Sequence, residues 1–112
     1  MMQASVFKDI LNTLPSIDDI RAIVLLDASG EPVGRLENQP GTAGSVRVYH
    51  ALIKNHGHID RKAAREGLAL YAEHTPDARA NPGKHPNIDR LLSIAEADAP
   101  GLRARLVLNQ DD

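Results

Sequence analysis

Apolar positions along the chain fall into segments of different period, and the periods predict the elements. From Ser5 to Leu14, Val6, Ile10, Leu11 and Leu14 share one face, which predicts a short amphipathic helix with Ser5 as its cap and Pro15 as its stop. Ile20 to Ala28 is a continuous apolar run of strand length. With both faces apolar from Ala22 to Leu26, it is expected to be a central strand covered on both sides. The turn Ser29-Gly30-Glu31-Pro32 leads into an alternating segment, Val33 to Asn38, so the two runs form a hairpin.

Three or four helices follow. A Gly-rich loop from Gln39 to Ser45 ends in a candidate cap, Ser45, and the helix after it runs to Gly57. Asp60 starts a second, expected to reach His74, with Ala63, Ala64, Gly67, Leu68 and Tyr71 along one side. Its small residues let a neighbouring element approach closely. Thr75-Pro76 can start one or two helical turns up to Asn81, Pro82-Gly83 breaks them, and Pro86-Asn87 opens another helix. Leu102 to Asn109 alternates as a strand and completes the sheet, and Asp111 and Asp112 form a frayed tail. The order predicts an α+β fold of one domain over 1–112. Its small three-stranded sheet, with strands near 20–28, 33–38 and 102–109, is covered by four or five helices.

Composition narrows the chemistry. The 112 residues hold three aromatics (Phe7, Tyr49 and Tyr71), so the core is aliphatic. There is no cysteine, which excludes disulfides, thiol chemistry and Cys-based zinc sites. The N-terminal segment carries charges within its apolar pattern and does not read as a secretory signal, and no window approaches a membrane span. The expected location is the cytoplasm, with no membrane partner. The formal net charge is −2, with no basic run and no aromatic stacking platform, so no nucleic-acid partner is expected. Charge is nevertheless uneven. Residues 45–90 carry eight Lys or Arg against five Asp or Glu, and all five His, while the flanks carry five basic and ten acidic residues.

The candidate chemistry lies in that middle region. The polar stretch from Tyr71 to Arg90 is long for a connection in a small chain, and such connections often carry function. Pro82 and Pro86 restrict the backbone around Lys84 and His85, with Arg79 nearby. The alternative is a crossover braced by its own side chains. Gly41, Thr42, Gly44 and Ser45 lead into a helix whose free N–H groups suit an anion, and Arg47 follows in the first turn. The loop lacks the spacing and Lys of a nucleotide-binding loop, and a Ser-capped turn explains it equally. His50, His56, His58, His74 and His85 show no i, i+4 pair of the zinc-protease kind, so no metal site is assigned and no cofactor is implied.

The stretches LPSID at 14–18, RVYHAL at 47–52 and AREGLALYAEHTPDARANPGKHPNIDRL at 64–91, with the closing apolar strand, resemble a small bacterial family, domain of unknown function 2322. The resemblance implies a bacterial, cytoplasmic protein of about this size and carries no activity or site residue across. The reading from the residues is a protein that binds a small anionic molecule, as a homodimer. The ligand-binding set is Gly41, Thr42, Gly44, Ser45, Arg47, His50, His74, Arg79, Lys84 and His85. Two alternatives stand beside it: a small enzyme with a His general acid/base or a metal, and a homodimeric protein-interaction module.

Overall fold

The computed structural model describes residues 6–109. Eight elements follow one another: α1 (Val6–Leu11), β1 (Ile20–Leu26), β2 (Pro32–Glu37), α2 (Ala43–His56), α3 (Arg61–Leu70), α4 (His74–Ala80), α5 (Pro86–Glu96) and β3 (Arg103–Leu108). The fold is α+β, with a three-stranded antiparallel sheet and five helices. The expected cap Ser5 and the tail Asp111–Asp112 lie outside the described residues.

The sheet order is β2-β1-β3. Ile23 pairs with Leu36 on one side and Leu106 on the other, and these three share the face that meets the helices. Helix α2 packs on β1 and β2 through a buried stripe of Val46, Val48, Tyr49, Ala51 and Leu52. Helix α3 then packs on α2 and on α5.

The opposite face of β1 is buried too, as the doubly apolar run predicts. Ala22 and Val24 are 0% and 5% exposed, although they stand outside the main cluster of the core. Val24 lies between Arg35 and Arg105 in the register. Arginine stems lie along apolar surface while their charged heads stay in water. The flanking arginine stems suit the apolar character of this second face.

Element ends moved for local reasons. Helix α3 stops at Leu70, four residues before the expected end, because Ala72 takes a left-handed backbone (φ 52°) that an α-helix cannot include. Ser45 is not a cap. Helix α2 begins at Ala43, with Thr42 in the cap position making no side-chain cap bond, and Ser45 sits inside the first turn. Thr75 is no cap either, since α4 begins at His74 and the Thr75 hydroxyl turns inward to donate to Leu68 O at 2.6 Å. Asp60 does cap α3, accepting from Ala63 N at 2.8 Å, and Gly57 ends α2 at φ 81°.

Gly67 is where three helices meet. A Cβ there would stand 2.6 Å from Leu91 Cδ1 and 2.9 Å from Leu52 Cδ1, and both leucines are fully buried. Gly67→Ala gains up to about 1 kcal/mol of helix propensity and loses about 1–3 kcal/mol to overpacking. The expected net result is a lower urea midpoint with an unchanged slope, and an unchanged midpoint would mean that the two leucines yield freely.

Candidate functional site

The polar crossover is fixed around one carboxylate. Asp77 on α4 receives His85 Nε2 at 2.6 Å and Lys84 Nζ at 3.1 Å on Oδ2, and Asn81 Nδ2 at 3.1 Å on Oδ1. Gly83 N donates to Asp89 Oδ2 at 2.9 Å, and Lys84 N donates to Asn81 O at 3.0 Å. The His85 contact and then the Lys84 contact hold the Asp77 carboxyl below the usual carboxylate range. The crossover is thus braced by its own side chains, and the bracing also aims them.

What they are aimed at is a cavity of about 580 Å³ at the start of α2. Seven of the ten sequence candidates line it: Gly41, Thr42, Gly44, Ser45, His74, Lys84 and His85. The other three do not. Arg47 lies on α2 with Nη2 donating to Leu14 O at 3.4 Å, and its Nε is buried without a partner among the described residues. His50 leaves Nδ1 buried and unpartnered among the described residues, and burial, then the charge of Lys54, lowers its pKa. Arg79 forms a two-pronged ion pair with Glu96, both contacts 2.6 Å, which ties α4 to α5.

Sequence reasoning missed the apolar wall. Phe7 and Leu11 of α1 line the cavity, with Tyr71 and Ile88. Phe7 stacks on Tyr71 at 5.4 Å and meets the edge of His74 at 4.9 Å, and His74 stands 5.8 Å from His85. Three aromatics in 112 residues, two of them in one stack, was the signal available, but their 64-residue separation hid it. Tyr71 is buried, and its hydroxyl donates to Ser45 Oγ at 2.6 Å. Burial pushes that hydroxyl's pKa far up, so the group stays neutral.

The chemistry on offer is anion recognition. The backbone N–H groups of Gly44 and Ser45, in the first turn of a 14-residue helix, have no acceptor among the described residues. They lie in the same concavity as Lys84 and two imidazoles. Because His85 Nε2 faces a carboxylate, the proton belongs on Nε2, and neutral His85 keeps Nδ1 as an acceptor. Among the described residues no three His, Asp or Glu side chains gather as metal ligands, and no helix is long and apolar enough to cross a membrane.

His50 generates a pH dependence whose sign is fixed. Its folded pKa lies below the unfolded value of 6.5, so the unfolded chain binds the proton more readily. Its contribution is present above pH 6.5 and is lost as pH falls from there through the folded value. Stability measured by urea unfolding should decline over that window, and His50→Leu should flatten the decline. An unchanged slope in that variant would assign the effect elsewhere.

No curated protein and no solved structure matches the chain. A family model described as "Uncharacterized protein conserved in bacteria (DUF2322)" matches residues 7–105, and the chain belongs to that family.

Proposed function

We propose that this protein binds a small anionic ligand in the cavity at the start of α2. The carrying observation is convergence: seven residues from two distant segments, 41–45 and 74–85, line one concavity with the free amides of Gly44 and Ser45. The volume of about 580 Å³ falls in the range of small-molecule sites. The wall of Phe7, Leu11 and Ile88 suits an apolar body, and the amides with Lys84 suit a carboxylate or phosphate head. Lys84 is shared with Asp77, so the helix amides carry the larger part of head-group recognition.

The test is a thermal-shift screen of phosphorylated and carboxylated metabolites, with hits measured by calorimetry. A Cβ at Gly44 would already meet the side chains of Phe7 and Leu11 at 3.4–3.5 Å, so Gly44→Leu crowds the apolar wall of the cavity without a backbone clash. Binding should disappear in Gly44→Leu while the fold is retained. Lys84→Ala should weaken it by about fivefold or less, because that cation is exposed and already shared. A broad screen with no stabilising compound would remove this reading.

One observation favours a second reading. The His85–Asp77 contact of 2.6 Å has the form of an oriented general base beside a cavity. If the protein is an enzyme, turnover of a carboxylate- or phosphate-ester panel should vanish in His85→Gln and fall in Asp77→Asn with ligand affinity kept. Turnover that survives His85→Gln would assign it elsewhere.

A further inference from the structure

Arg90 is a half-buried cation with only neutral partners among the described residues. Its Nη1 donates to Tyr49 Oη at 3.2 Å and to Asn87 Oδ1 at 2.8 Å, and its guanidinium stands 5.9 Å over the Tyr49 ring. Nη2 reaches over β2, where a Cβ on Gly34 would lie 3.3 Å away. Neither Nη2 nor Nε has an acceptor among the described residues, and no carboxylate pairs with the group. A guanidinium drawn partly out of water without a counter-ion is costly, and an anion beside it removes that cost.

The space for such an anion is present. Arg90 lines a second cavity of about 350 Å³, separate from the one at α2, walled by Val33, Ile94 and Leu102. The same cavity holds Asp27. Asp27 Oδ1 accepts from Ser29 N at 2.9 Å, Ser29 Oγ at 2.7 Å and Glu31 N at 3.0 Å. These bonds hold the carboxylate in place and keep it ionised, while Oδ2 has no donor among the described residues. An arginine and an anchored aspartate thus line one small, largely apolar cavity, with no ion pair between them among the described residues.

We propose that this second cavity binds a small zwitterion of the aliphatic amino-acid type. The carboxylate meets the free Nη2 edge of Arg90, the ammonium meets Asp27 Oδ2, and the side chain lies against Val33, Ile94 and Leu102. A simple carboxylate satisfies Arg90 but is repelled by Asp27, and a simple amine meets the reverse. A ligand with both charges and no net charge satisfies each group at once. The small volume restricts the side chain to a few carbons.

The experiment is a titration of the isotope-labelled chain, followed by amide NMR, with L-alanine, L-valine and L-leucine. Isovalerate and isobutylamine serve as the one-charge counterparts of valine. Saturable shifts at Asp27, Val33, Arg90 and Leu102 are expected for at least one amino acid, with the one-charge compounds about tenfold weaker or worse. Asp27→Asn should weaken binding by about tenfold or more, and Val33→Trp, at a half-exposed position on the cavity wall, should abolish it with the fold intact. Arg90→Met should also abolish it. Because Arg90 braces Tyr49, the other two variants carry the test if Arg90→Met fails to fold. No shift with any of the three amino acids overturns the proposal. So does isovalerate binding as tightly as valine, or binding unchanged in Asp27→Asn and Val33→Trp.

Discussion

The seating of α2 on β1 and β2 is the contact on which the rest of the molecule depends. Among the residues it buries, Val46, Val48, Tyr49 and Leu52 are 0% exposed. Burial of side chains this size is worth roughly 1.5–3 kcal/mol each before the cost of ordering them. These four are among the largest fully buried side chains, and they meet the strands and α5 in one aliphatic core, so a shift of α2 would open it. From that seat the other positions follow. Gly67 lets α3 come close to Leu52, Tyr49 reaches α5 by donating to Asn87 O at 2.6 Å, and the first turn of α2 is left facing the crossover.

The crossover shows how one local arrangement can serve two purposes. Its side chains bond mainly to one another, through Asp77, Asp89 and the Arg79–Glu96 pair. Rigid anchoring explains why so many turn-forming and charged residues occur together, without any ligand. Yet the anchoring also determines where Lys84 and His85 stand, and preorganised groups bind at lower cost than mobile ones. Three cations of the middle region are taken up by ion pairs. Arg79 and Lys84 have acidic partners, and Arg61 pairs with Asp98. An anion arriving at α2 therefore meets partial charges of a helix start more than a surplus of cations.

Elements with a single strong period were legible before any coordinates. The hairpin, the alternation of β3, the Asp60 cap and the Gly57 stop all appear where the residues alone place them, within two residues. What escaped were features decided by tertiary contact. Ser45 and Thr75 have the chemistry of caps, but Tyr71 and Leu68 O claimed their hydroxyls. Nothing local marks Ala72 as left-handed. The 41–45 loop and the 74–85 crossover line one cavity, and the polar, turn-rich character of both segments is the local signal they share. Arg47 and His50 do not line the cavity, because the Arg47 guanidinium reaches back to Leu14 O and His50 lies further along α2. Arg90 gave no local signal at all, since an arginine on an amphipathic helix reads as a solvated face until its partners are known.

Tyr49, Asn87 and Arg90 join the two cavities into one structure. Asn87 lines the cavity at α2 with its residue body, accepts Tyr49 Oη on its backbone oxygen, and accepts Arg90 on its side chain. Arg90 lines the other cavity and also donates to the same tyrosine hydroxyl. Burial pushes that hydroxyl's pKa up to about 12, so it remains a neutral O–H that can donate once and accept once, and both capacities are used. A charge brought to Nη2 strengthens or weakens what Nη1 gives to Tyr49 and Asn87, because one delocalised guanidinium carries both nitrogens. The first turn of α5, which holds Asn87 against the cavity at α2, is therefore anchored by the same cation that faces the second cavity. A small aliphatic core leaves few polar groups inside, and this fold sets Tyr49, Asn87 and Arg90 between these two concavities.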